Sequence, residues 1–223
     1  MVARAVTAMI NNLDLSARYR DKDFDNYDIS RLKNPKPELI VESLKNYGKK
    51  FMDLRQCNNW IFLTGGFGVG KTHLAVAVMK EAARQKAIYT AKKQMNKYYG
   101  GNPNQGSKFI FKPSSDLIQE IKNSYDSNEL SEHAILEKYK NCHLLILDDL
   151  GTERASEWQQ EKLHLLLNYR YNEMLPTIIT TNMGAVELNN QISQRLFDRI
   201  IEASNSGNRL WRLKGNSYRQ RAV

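Results

Sequence analysis

Glycine, lysine and threonine stand in one stretch of this 223-residue chain at the spacing that holds phosphate. Gly65-Gly66-Phe67-Gly68-Val69-Gly70-Lys71-Thr72 fits G-x-x-x-x-G-K-[ST] at every fixed position. The glycines let the backbone wrap so closely that its N–H groups point at phosphate oxygens. Lys71 adds a point charge at the β- and γ-phosphates, and the Thr72 hydroxyl can ligate Mg²⁺. His73 follows in what reads as the first turn of a helix, and Gly65 to His73 together form the expected nucleotide-binding set. Binding is not hydrolysis, which calls for a carboxylate element as well. "HLLILDDLG" (143–151) supplies one, an apolar strand ending in Asp148 and Asp149. Set beside the phosphate-loop strand, it would deliver Asp148 to the metal shell and leave Asp149 near the γ-phosphate, where it could polarise a water.

The elements that must position these residues are legible around them. "WIFLT" (60–64) is a short apolar run that ends at the glycines, as a buried strand does. "THLAVAVMKEAA" reads as a buried helix whose N-terminus faces the phosphates. Upstream, Val2, Val6, Met9 and Leu13 fall on one helical face, and "RYRDKDFDNYDISRLKNPKP" reads as a polar connector. "PELIVESLKNYGKKFMDL" reads as a helix with Pro37 in its first turn. Downstream come a strand "FIFKPSS", helices "DLIQEIKNSY" and "ELSEHAILEKYK", and a helix from Glu157 with a Ser156/Gln159 capping box. A buried strand "TIITTN", a helix "NQISQRLFDRIIEA" and a last strand "RLWRL" complete the chain. Alternating strands and helices imply an α/β fold with a parallel sheet covered on both faces.

Hydrophobic residues make up 41% and charged residues 26% of the chain, and no apolar run approaches a membrane span of ~20 residues. The start lacks the apolar core of a secretory signal. Cys57 and Cys142 follow no metal or redox spacing, which suits a reducing, cytoplasmic setting. The net charge of +9 suggests a polyanionic partner. From Arg84 to Lys112 the chain has Arg84, Lys86, Lys92, Lys93, Lys97, Lys108 and Lys112 but no acidic residue, with Tyr89, Tyr98, Tyr99, Phe109 and Phe111 interleaved. Basic groups for phosphates and aromatic faces for bases are what single-strand binding uses. The other reading is a solvated helix face with some core aromatics.

In this order the motifs resemble the bacterial replicative-helicase loaders, the DnaC/DnaI-like branch of the AAA+ ATPases, with IstB-like transposition ATPases as near relatives. The resemblance runs from about Phe24 onward, on "FDNYD", "GGFGVGKTHLA", "LLILDDLGTERASEW", "TIITTN", "QRLFDRI" and "GNSYRQR". It implies a P-loop NTPase of AAA+ type without a separate C-terminal helical lid. Residues 1–36 would form an N-terminal extension and residues 37–223 the ATPase domain. By the same resemblance Lys71 and Thr72 match the Walker A lysine and metal-ligating hydroxyl, and Asp148 the Walker B aspartate. Asp149 takes the position of the usual catalytic glutamate, and Asn182 that of sensor 1. Arg199 best matches the arginine finger, with Arg195 one turn before it, and Arg219 matches sensor 2. The residues before Phe24 are too few for the helicase-binding domain of well-known loaders. The N-terminal helix is then either a docking element or a segment packed on its own core.

The function expected is that of an ATP-dependent helicase loader or primosomal ATPase. It would hydrolyse ATP to ADP with Mg²⁺, form a homo-oligomer on ATP binding, and hold single-stranded DNA beside a replicative helicase. The alternative is a transposition ATPase assembled on duplex DNA that delivers a transposase; a nucleotide-gated module with negligible hydrolysis is a third reading. The expected nucleic-acid contacts are Lys92, Lys93, Lys97, Lys112, Lys122 and Tyr125, the last two on the helix that in loaders faces a central channel.

Overall fold

Five short segments of β-branched and apolar residues pair into one sheet: β1 (Ile61–Gly65), β2 (Phe109–Pro113), β3 (Leu144–Asp148), β4 (Thr177–Thr181) and β5 (Leu210–Leu213). The computed structural model describes residues 2–56, 59–95, 108–125, 131–151, 156–205 and 208–218. Spatial order is β2-β3-β4-β1-β5, and every pairing is parallel. β3 and β4 are buried at each position, which is why they lack the alternation of a half-exposed strand. The expectation that β3 lies beside β1 is corrected: β4 stands between them, pairing with β1 on one side and β3 on the other. Asp148 therefore approaches the phosphate loop across the end of β4.

Nine α-helices are described: α1 (Val2–Asn11), α2 (Ala17–Arg20), α3 (Pro37–Lys49), α4 (Lys71–Met95), α5 (Ser114–Asn123), α6 (Glu132–Lys140), α7 (Glu157–Asn172), α8 (Ala185–Gln191) and α9 (Gln194–Asn205). α3 and α4 share one buried cluster with Ile61, Leu63, Ile146 and Ile178 of the sheet. α5 to α9 share a second, with Phe62, Leu145, Leu147 and Ile179. Successive strand residues point to opposite faces, so the two clusters are the two sides of the sheet. The reciprocal Ser156/Gln159 capping box is present at the start of α7.

Three sequence readings change. The helix from Pro37 ends at Lys49, and Phe51–Gln56 tighten into a 3-10 turn. "NQISQRLFDRIIEA" is not one helix, because Ile192 is extended (φ −120°) and buried, and Ser193 begins α9 by accepting from the Leu196 N–H. The connector read as polar is not simply so: Phe24, Tyr27 and Leu32 are buried in the same cluster as α3 and α4, as are Leu13 and Leu15, which lie between α1 and that connector. α1 itself packs along α4, with Met9 half-buried against that cluster.

Candidate nucleotide-binding site

The phosphate loop joins β1 to α4, so its free N–H groups and the positive end of the α4 dipole coincide. Gly68 and Gly70 hold left-handed backbone (φ +75° and +94°), and neither has room for a side chain. A Cβ on Gly68 would lie 2.1 Å from Ser217 Oγ, and one on Gly70 2.5 Å from the Tyr27 ring. Lys71 is 4% exposed, and its Nζ donates to the Gly65 carbonyl (2.9 Å), the Gly66 carbonyl (2.8 Å) and Asn182 Oδ1 (2.5 Å). Phe67, by contrast, projects into solvent at 68% exposure.

Asp148, at the end of β3, is buried and accepts from Thr180 Oγ1 at 2.6 Å and Thr72 Oγ1 at 2.9 Å. Burial pushes its carboxyl up from the ordinary aspartate range and the neighbouring Asp149 adds to this, while the two hydroxyls and Lys71 oppose it. Asp149 stands in left-handed backbone (φ +54°), a conformation that L-residues adopt at some cost. Its N–H donates to Thr180 Oγ1 (3.0 Å), its carbonyl accepts from Ser114 Oγ (2.9 Å), and its carboxylate accepts from Asn182 Nδ2 (2.7 Å). Thr180, which the sequence reading did not single out, thus joins both aspartates through one hydroxyl. Among the described residues no group of three or more His, Cys, Asp or Glu could hold a metal by itself. A hydroxyl and a buried carboxylate on one side of a phosphate loop do fit Mg²⁺, which takes one or two protein oxygens and completes its shell with phosphates and waters.

Both ends of the described chain close on the loop. Tyr27 is buried, donates to the Val69 carbonyl (3.1 Å) and meets the His73 ring edge-on at 5.1 Å between centroids. Burial holds the His73 imidazole below its usual pKa, and its Nε2–H donates to the Asp23 carbonyl at 2.8 Å. The Tyr218 N–H donates to the Gly68 carbonyl (2.9 Å) and its hydroxyl to the Asp28 carbonyl (2.5 Å). Asp23, Tyr27, Ser217 and Tyr218 were not read as site residues. For Tyr27, Ser217 and Tyr218 the signal is that "FDNYD" and "GNSYRQR" carry the family resemblance; Asp23, one residue before the first motif, gives none. Arg219, the expected sensor 2, lies outside the described residues, although its neighbour Tyr218 touches the loop.

The remaining expected residues fall into separate places. Arg199 lies on α9 against α7, where it donates to Asn168 and places its guanidinium 5.3 Å from the Tyr171 ring. Arg195 is exposed, one turn earlier. Lys122 and Tyr125 are brought together at Trp158 in the first turn of α7. The Tyr125 and Trp158 rings lie 6.0 Å apart, and the ammoniums of Lys122 and Lys162 each lie 5.8 Å from the Trp158 ring. Lys162 also pairs with Glu132 at 2.7 Å. Lys112 is not part of this cluster, because Glu120 holds it at 2.6 Å. Lys92 and Lys93 are exposed on the last turn of α4, beyond Lys86, which meets His143 at the start of β3. α4 packs on the opposite face of the sheet from α5 and α7, so these lysines do not form one patch with Lys122 and Tyr125. Lys97 lies outside the described residues. Arg84 is engaged inside the chain, with Asp23 (2.8 Å) and Glu81 (3.1 Å).

A sheet in which the strand bearing Asn182 at its end lies between the phosphate-loop strand and the acidic strand is the arrangement of AAA+ P-loop ATPases, and this chain has that fold. A solved structure of the DnaC helicase loader superposes with a TM-score of 0.68 at 26% identity, over 89% of this chain and 100% of that one. Among curated proteins, the phage-like element PBSX protein XkdC of Bacillus subtilis is 25% identical over 210 residues, covering 89% of this chain and 69% of XkdC. The replicative helicase loader DnaC of Escherichia coli K12 is 24% identical over 161 residues. That match takes in 72% of this chain and 56% of the loader, so the chain spans little more than half of that relative. The family described as IstB-like ATP binding protein matches residues 1–223, and the chain belongs to it. Among the described residues no helix is long and apolar enough to cross a membrane.

Proposed function

We propose that the protein is an ATP-dependent helicase loader, or primosomal ATPase, that assembles on ATP and holds single-stranded DNA. The observation that carries the ATPase half is the unbroken run of hydrogen bonds from Lys71 through Asn182 to Asp149, with Asp148 tied to Thr72 alongside. This arrangement supports the reading that these groups serve phosphoryl transfer to water. The loop N–H groups and Lys71 would cradle the phosphates, Lys71 exchanging carbonyl partners for phosphate oxygens. Thr72 and Asp148 would hold Mg²⁺, whose charge offsets that of the β- and γ-oxygens. Asp149, aligned by Asn182, would orient a water and take its proton. Arg199 would act on the nucleotide of a neighbouring subunit, and Arg219 on the chain's own.

For DNA, the reading is supported by the exposed Tyr125 ring beside Trp158, with Lys122 and Lys162 around it: aromatic faces for bases and cations for phosphates. Lys92, Lys93 and Lys97 would make a separate phosphate contact, and Lys112, paired with Glu120, a weaker one. The second reading is a transposition ATPase on duplex DNA with a transposase as partner, in keeping with the IstB-like family match.

ATP hydrolysis measured with single-stranded and duplex oligonucleotides, together with ATP- and ADP-dependent pull-downs, separates the two. Single-strand stimulation with ATP-dependent retention of a replicative helicase is expected. Stimulation by duplex alone, with a transposase retained, would replace the first reading by the second. Trp158→Ala should weaken single-strand binding by about 1–3 kcal/mol if a base stacks there.

A further inference from the structure

The cavity over the phosphate loop, of about 320 Å³, is lined by Phe67, Lys71, Thr72, Asp149 and Asn182, and also by Arg18 and Lys22. Both cations come from the segment through α2, far outside the motifs that define the site. Their surroundings are informative. Other cations of this region have in-chain partners: Arg20 donates to the Leu15 carbonyl (3.1 Å), Lys80 to the Arg20 carbonyl (2.5 Å), and Arg84 pairs with Asp23. Arg18 and Lys22, which face the cavity, make no ion pair with any described carboxylate, and the Arg18 guanidinium has a ring contact, 5.9 Å from the adjacent Tyr19 ring. Lys22 also lies close enough to His73 for its charge to oppose protonation there, in addition to burial.

The platform beneath them is fixed. Leu15, Phe24 and Tyr27 are buried, and the Tyr19 ring packs on Phe111 at 5.0 Å between centroids. The His73–Asp23 hydrogen bond closes the segment onto α4. The charge balance of the cavity also asks for more cation: even with Mg²⁺ counted beside Lys71, the positive charge at the loop does not match Asp148, Asp149 and a polyphosphate together. A guanidinium and an ammonium without ion pairs, carried on a fixed backbone at the rim of a phosphate site, can take an anion with little reordering of the chain that bears them.

We propose that Arg18 and Lys22 are phosphate ligands supplied in cis, so that bound nucleotide clamps the N-terminal segment onto the phosphate loop. This rests on the nucleotide reading above. The test is equilibrium titration of the full chain with a fluorescent ATP analogue, comparing wild type, Arg18→Gln, Lys22→Gln, the double variant and Lys71→Ala. Each single variant should weaken binding about tenfold, the size of one hydrogen bond to a charged group, and the double variant more. Arg18→Lys should keep more affinity than Arg18→Gln. Without nucleotide the melting temperature of the double variant should match wild type, since neither side chain has an ion pair to lose. Its ATP-induced rise should shrink. In the wild type, ATP should slow tryptic cleavage after Arg18 and Lys22. If the double variant binds within twofold of wild type while Lys71→Ala has lost binding, the two cations do not touch phosphate and the proposal is overturned. If Lys71→Ala itself binds normally, the nucleotide reading of the cavity fails first, and the proposal falls with it.

Discussion

Replacing Thr180 with valine isolates the hydroxyl that couples the two acidic residues. The side chain is fully buried and valine keeps its shape, so no cavity opens. What is lost is a donor at 2.6 Å to a buried carboxylate and an acceptor at 3.0 Å for the Asp149 N–H. A hydrogen bond to a charged group contributes about 1.5–3 kcal/mol, and an orphaned buried N–H adds about 1 kcal/mol. The expected loss at pH 7 is therefore about 2.5–4 kcal/mol, or a melting temperature lower by about 5–15 °C for a chain of this size. The sign of its pH dependence follows from Asp148. Its carboxyl titrates above the unfolded value of 3.8 because it is buried, so its ionised form opposes folding as pH rises through the carboxylate range. Removing the Thr180 donor raises that carboxyl further, so the gap between wild type and variant should widen as pH rises and narrow in acid. In an Asp148→Asn background the same substitution should cost only about 1 kcal/mol, since no charge is stranded. Calorimetry of the four proteins of this cycle across pH is the measurement. A Thr180→Val loss below about 0.5 kcal/mol, or strict additivity with Asp148→Asn, would refute the reasoning.

Three further outcomes are expected. Asp149→Asn should leave nucleotide binding intact and slow hydrolysis, whereas Asp148→Asn should also weaken Mg²⁺-dependent binding; equal behaviour in titration and turnover assays would show their roles wrongly divided. Arg199→Ala should spare ATP binding by the monomer and lower ATPase and ATP-driven assembly together. Trans arginines contribute about 10³–10⁵ in rate in GTPase systems, and a wild-type result would pass the role to the exposed Arg195. Burial alone would raise the Glu120 carboxyl, but hydrogen bonds from Lys112, Tyr139 and Lys138 outweigh it and bring it down to about 2. Its stabilisation should therefore be complete above the unfolded value of 4.5 and fade as pH falls from there to about 2, so wild type and Glu120→Gln should converge in acid melts.

The parts of this site that were legible in the sequence are those whose chemistry forces residues to be contiguous. A backbone that wraps phosphate needs its glycines, lysine and threonine within one loop, and an acidic pair needs a strand to carry it. Order within the sheet is not written locally, because apolar runs announce strands without naming neighbours; hence β4, not β3, lies next to β1. The break between α8 and α9 was hidden for a related reason. Leu188, Ile192, Leu196 and Ile200 are all buried and recur every four residues, so the helical period continues across a non-helical Ile192. Thr180 and Thr181 are adjacent and equally buried, and only the packed sheet shows that one bonds Asp148 and the other the Leu150 carbonyl.

The N-terminal segment marks the limit of local reading most clearly. Leu15, Phe24, Tyr27 and Leu32 sit among polar and charged residues and give no period, yet each is buried. Their burial is decided by what approaches from the far end of the chain. Leu32 bridges Gly215, Asn34 exchanges hydrogen bonds with the Arg212 carbonyl and the Lys214 N–H, and the Arg31 guanidinium lies 4.6 Å from the Tyr218 ring. This strap reaches the phosphate loop twice, through Tyr27 at Val69 and through Tyr218 at Gly68. The conformation of Gly68 and Gly70 is thus set partly by residues about 40 positions before the loop and about 150 after it. A motif search finds the glycines, but the groups that hold them in shape are found only in the folded chain.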